Sequence, residues 1–243
     1  MGAVPVTAAL ILIGFLYVTG WIRARKVIPF WRVGIFLCGL MLVWLAAASP
    51  LAMLDEELLT AHMTQHLLLM TVAPAFLLLG LPMLRISANP LLCWFASAVT
   101  LIAWHVPALF EVGLSSMLWH HIEQGTFFAA GLLFWLPVFR IQAQWSILIY
   151  LFMATLPCDA LSAFLAFCGH VVYPHYSSAP RHFPLTALQD QQCAGALMWT
   201  CVTFAYLIPA VLVTLRLLSF TGESTPKDSS TATEIETIAF RAR

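Results

Sequence analysis

Seven apolar stretches, most of them close to the length that crosses a bilayer, dominate this chain and leave it few ways to fold. They run roughly Val4–Trp21, Val33–Ser49, Leu58–Leu81, Leu91–Trp104, Ile122–Phe139, Trp145–Val171 and Leu188–Leu218. A helix of about 20 apolar residues spans a hydrocarbon core, and lipid tolerates no unpaired backbone, so each stretch predicts a transmembrane helix. Only 9% of the 243 residues are charged against 61% hydrophobic, which an ordinary water-soluble globule would not show. The expected fold class is therefore all-α: an integral membrane bundle of about seven transmembrane helices. Residues 1–220 make one polytopic domain, and the polar Ser/Thr-rich segment 221–243 is expected to be a disordered tail. The first stretch precedes any basic residue and no small-residue cleavage site follows it, so it reads as a retained span.

Orientation follows from the Lys and Arg residues of the connecting segments. With the N-terminus outside and the C-terminus cytoplasmic, the inner face collects Arg23, Arg25, Lys26, Arg32, Arg85, Arg140, Arg216, Lys227, Arg241 and Arg243, and the outer face keeps only Arg181. Asp55, Glu56, Glu57 and Glu111 then lie outside. On this topology all eight histidines fall on or near the outer side: His62 and His66 in the third stretch, His105 ending the fourth, His120 and His121 opening the fifth, and His170, His175 and His182 around the end of the sixth. Histidine is the commonest metal ligand, and a bilayer-spanning helix has little other use for it. A chemical site facing the outer compartment is the expectation. The zero formal net charge gives no reason to expect a nucleic-acid partner, whereas membrane lipid is an obligate one.

Within Thr60-Ala61-His62-Met63-Thr64-Gln65-His66-Leu67-Leu68-Leu69-Met70, successive i, i+4 steps place His62, His66 and Met70 on one helix face. Two imidazoles about 5–6 Å apart can share a metal ion, and a thioether one turn deeper biases the face toward copper. Two satisfied polar residues packing between helices, with Met70 as filler, would give the same letters. His105 sits at the break made by Trp104-His105-Val106-Pro107, because a residue before proline is pushed out of the helical region. In His120-His121-Ile122-Glu123-Gln124 the spacing is not HExxH, so a metalloprotease is not expected. Neighbours on a helix diverge by about 100°, so one of His120 and His121 can face a given site. Asp190, at the start of the seventh stretch, suits a helix N-terminus. Asp159, in mid-helix after Leu156-Pro157-Cys158, is costly in lipid and unexplained. The six cysteines form no CxxC pair; a Cys168–Cys193 disulfide is conceivable but nothing requires it.

The assembled pieces resemble the CtaG family of cytochrome c oxidase assembly factors, associated with caa3-type oxidases. The matching segments are AHMTQHLLLM at 61–70 with Ala73–Pro82 after it, WHVP at 104–107, HHIEQ leading into GLLFWLPV at 131–138, VVYPHY at 171–176 and DQQCAGALMW at 190–199. The resemblance implies a multi-pass protein of the bacterial plasma (inner) membrane that helps mature a haem-copper oxidase, with copper as the ion it would bind or deliver. It carries metal roles onto His62, His66, His105, one of His120 and His121, Asp190 and Met198, beside Met70 from the spacing above. Oxidase subunits and periplasmic copper chaperones are the partners it implies. No catalytic residue comes with it, so an enzyme is not expected. Asp159 has no counterpart in the resemblance.

Two other functions compete. A haem-binding electron-transfer subunit would place histidines at matched depths on facing helices, whereas two here lie one turn apart on one helix. An ion or metal transporter working through Asp159 and the histidines would favour polar groups at both faces, and the inner half is nearly bare of them. A retinal protein is excluded because Lys26 and Lys227, the only lysines, lie outside every apolar stretch.

Overall fold

A computed structural model describes residues 3–24, 28–82, 88–139, 144–179 and 183–223. Its long helices follow the apolar stretches: α1 Ala3–Ala24, α2 Phe30–Ala48, α3 Leu59–Leu67, α4 Ala73–Gly80, α5 Pro90–His105, α6 Pro107–Ser115, α7 Met117–Val138, α8 Gln144–Phe167, a short α9 His175–Ser178, and α10 Ala187–Glu223. Among the described residues there is no strand. Five segments of the described residues are long and apolar enough to cross a membrane: Ala3–Ala24, Phe30–Met53, Leu59–Gly80, Trp145–Phe167 and Ala187–Ser219. The α5 and α6 pair, bent by 78°, makes a sixth if it counts as one broken span. The chain is a multi-pass membrane protein, and its described residues hold five or six clear spans against the expected number of about seven. The remaining helix, α7, falls short in apolarity because its first turns carry His120, His121, Glu123 and Gln124.

The boundaries that differ have local causes. Ser116 is extended and its hydroxyl accepts from the Trp119 N–H at 3.4 Å, so α7 begins five residues earlier than its apolar run and takes both histidines into helix. The eighth helix ends at Phe167 rather than Val171. The last helix continues to Glu223, three residues into the polar tail, and the remainder of that tail lies outside the described residues, as do His182, Arg181 and most of the counted basic residues. All six cysteines are free.

The central rod is α3 and α4, joined through a π-helical turn at Leu68–Val72. It packs against α2, α7 and α10, while α8 lies along α10 and α1 leans on α2 alone among the larger contacts. Tyr17 and Arg32 donate to the carbonyls of Gly80 and Leu81 at 2.7 and 3.1 Å, closing the C-terminus of α4. Gly131 lets α7 approach that rod: a Cβ there would run into the Met70 carbonyl in the π turn. Beyond this close approach, where side chains of α3 and α7 face each other, the polar residues collect.

Candidate metal centre

Building from α3 outward, the i, i+4 spacing does put His62 and His66 side by side, with ring centroids 4.3 Å apart. The opposing helix supplies a carboxylate. Glu123 Oε1 lies 3.5 Å from both His62 Nε2 and His66 Nε2, and all three side chains are essentially out of solvent. A second group adjoins it: Asp55, in the segment between α2 and α3, holds His120 Nε2 at 2.9 Å, and His120 Nδ1 faces Glu123 Oε2 at 3.6 Å. The ligand atoms of His62, His66 and Glu123 lie within 4.8 Å of one another, and so do those of Asp55, His62 and His120. The two triads share His62.

These groups are brought together at some cost, because the pocket leaves them unsatisfied. Both ring nitrogens of His62 and of His66, Nδ1 of His120 and both oxygens of Glu123 are buried without a hydrogen-bond partner. Buried polar atoms are overwhelmingly paired, and a charge-assisted N–H···O contact closes to about 2.7–2.9 Å. Separations of 3.5 Å instead match the edge of a coordination polyhedron, about 3.4 Å for donors set tetrahedrally at roughly 2.0–2.1 Å from one ion. The donor set fits a transition ion: imidazole nitrogen and carboxylate oxygen suit copper, zinc, nickel or iron. Within this shell His62, His66 and Glu123 would hold the ion.

The surroundings fix the shell. Gln124, whose side chain packs against the His120 ring that Asp55 engages, donates to Gln65 Oε1 at 3.2 Å, and Gln65 in turn donates to the Leu51 carbonyl at 3.4 Å. Such outer partners orient ligands. Helix α6 approaches because Gly113 has no side chain; a Cβ there would lie 2.7 Å from Glu123 Oε2. Tyr176, in α9, donates to the Asp55 carbonyl at 2.7 Å, and its burial pushes its hydroxyl well above the ordinary phenol range, keeping it a donor. His175 Nε2 lies 3.1 Å from the Glu56 carbonyl, a loop-fastening contact.

Not every residue expected at the site is in it. Of the adjacent pair, His120 faces the cluster; His121 belongs to neither triad. His105 lies next to His66, with centroids 6.0 Å apart, rather than in the carboxylate group. Met70 and Met198 line an adjoining cavity instead of the triads. Asp190 is diverted altogether: its carboxylate accepts from the backbone N–H of Leu59 at 2.7 Å and of Thr60 at 3.1 Å, and from the Thr60 hydroxyl at 2.6 Å. Leu58, at the N-cap position before α3, offers no capping side chain, so a residue 131 positions from Leu59 caps the helix. Asp159 joins neither triad, and its Oδ1 is unpartnered. Sequence reasoning missed Glu123 and Asp55 as site residues. A glutamate three residues after His120, inside a stretch expected to span the membrane, was the available signal for the first.

The family model for the cytochrome c oxidase caa3 assembly factor, CtaG, matches residues 15–88 and 83–219. The chain belongs to this family. The CtaG match spans the helices that build both triads, from α3 through α10. No curated protein and no solved structure matches the chain.

Proposed function

We propose that this CtaG protein serves oxidase assembly by holding copper as cargo at His62, His66 and Glu123, with Asp55 and His120 forming the approach. The observation that carries this reading is the group of orphaned atoms: seven buried nitrogen and oxygen atoms on His62, His66, His120 and Glu123 converge without one hydrogen bond among them. A bound cation engages one lone pair from each neutral imidazole and answers the charge of the Glu123 carboxylate in a low-dielectric setting. His120, whose side chain is 18% exposed, is the most accessible member and suits an entry position. Asp55 orients its ring, and Glu123 faces both triads, so an ion can pass between them without leaving carboxylate contact. An open, shared-ligand arrangement of this kind suits transfer better than a closed four-ligand cage. With the site on the outer side, as the distribution of basic residues in the sequence suggests, loading would come from that compartment, and oxidase subunits are the recipients this reading implies.

A haem-binding role gains no support, because the cavity beside His66 and His105 offers only about 40 Å³, space for two or three waters. The function is tested by replacing the chromosomal copy with Glu123→Gln and measuring the amount and copper content of the oxidase. A fall of about tenfold is expected, the lower end of what disturbing a metal shell costs. Oxidase at the parental level with full copper would overturn it.

A further inference from the structure

Met63 is fully buried on α3 next to His62, and it meets His105, the last residue of α5. The contact is chemically unusual. His105 Nδ1 lies 2.7 Å from the Leu101 carbonyl, and a carbonyl only accepts, so Nδ1 carries the proton. In the neutral ring Nε2 then presents a lone pair. That lone pair faces Met63 Sδ at 3.3 Å, and a thioether is also only an acceptor. Two acceptors therefore face each other at contact distance in a buried place, with His105 held by the Tyr173 hydroxyl, which donates to its carbonyl at 3.1 Å. An imidazolium would put a buried charge against a weak sulfur acceptor.

A cation between the two removes the conflict. With metal–nitrogen near 2.0 Å and metal–sulfur near 2.3 Å, a donor separation of 3.3 Å closes an N–metal–S angle of about 100°. That angle suits three or four ligands, so further donors are needed, and the cavity bounded by Met63 and His105 is also lined by His66, Met70, Met198 and Cys158. Thioether, thiol and imidazole together select a soft ion, in contrast to the nitrogen and oxygen donors of the His62–His66–Glu123 triad.

We propose that Met63 and His105 form a second metal site, facing this cavity, that takes a soft monovalent cation of the Cu(I) and Ag(I) class. The site deepens the function proposed above by giving the monovalent form of the cargo its own donors, and it rests on that reading for its biological purpose.

The full chain in detergent is titrated with Ag(I), which needs no reductant, and separately with Co(II), which reports the nitrogen and oxygen site by its ligand-field absorption. Met63→Leu, which keeps the side-chain volume, is expected to lower Ag(I) affinity by about tenfold or more and leave Co(II) affinity within about twofold. Glu123→Gln is expected to do the reverse. X-ray absorption of the Ag(I)-loaded parent should show a sulfur ligand that Met63→Leu weakens. Ag(I) affinity within about twofold of the parent in a folded Met63→Leu protein overturns the proposal, as does loss of both ions together in Glu123→Gln. Absence of Co(II) binding with Met63-dependent Ag(I) binding would instead strike the triad and leave this site standing.

Discussion

Two buried carboxylates at the two seams of helix α3 show how burial alone fails to mark function. At the α3–α10 seam, Asp190 is 1% exposed and fully employed, accepting from Leu59, Thr60 and the Thr60 hydroxyl. At the α3–α7 seam, Glu123 is just as buried, yet neither oxygen has a hydrogen-bond partner and three imidazoles face it. The first is a helix cap delivered from a distant part of the chain; its charge is answered by backbone dipoles. The second has its charge left for something the fold itself does not supply. The distinguishing quantity is satisfaction, not depth.

This contrast can be broken by exchanging the two losses. Asp190→Ala strips the cap and leaves the buried N–H of Leu59 and the half-buried N–H of Thr60 unpaired, so a destabilisation of about 3 kcal/mol is expected, combining a lost cap with the desolvation of orphaned donors. Thermal unfolding in detergent reads it, and stability within about 0.5 kcal/mol of the parent would refute the capping role. Glu123→Gln should behave oppositely. Its divalent-metal affinity is expected to fall by about 10- to 100-fold, while the metal-free protein unfolds at or above the parental temperature, since no hydrogen bond is lost and a buried charge is removed. A clear drop in metal-free stability would mean that Glu123 is structural after all.

A sharper version leaves both carboxylates in place. Gly113→Ala sets a Cβ against Glu123 Oε2, and the expected result is a loss of metal affinity of about tenfold with a stability change near 1–2 kcal/mol. Unchanged binding would show that α6 does not help place the carboxylate. The smallest effect belongs to His121→Ala, expected to leave metal affinity within about twofold because His121 belongs to neither triad. A loss comparable to that of His120→Ala would contradict the assignment of His120 as the inward member of the pair.

Much of this was legible in the letters, and the failures have identifiable physics. The i, i+4 pair His62 and His66 and the proline break that positions His105 are local features, and the fold keeps both together with the helical bundle. Met70 faces the cavity beside His66 rather than Glu123, because the turn at Leu68–Val72 is π-helical and resets the register immediately below His66. Asp190 and Glu123 were assigned opposite weights since each depends on contacts between segments far apart in sequence, 131 positions in the first case. Asp55 looked like one of three loop acids, and only the packing of α7 singles it out. The site polarity also explains why α7 is less apolar than its neighbours: the residues that would do the chemistry are those that lower its hydropathy.

The central claim is that the unsatisfied atoms of His62, His66 and Glu123 are a metal shell, and electron paramagnetic resonance of the purified chain loaded with Cu(II) tests it most directly. One Cu(II) per chain with coupling to two imidazole nitrogens is expected, lost when His62 and His66 are both changed to Ala. No bound Cu(II), or a spectrum that survives that double change, would contradict it.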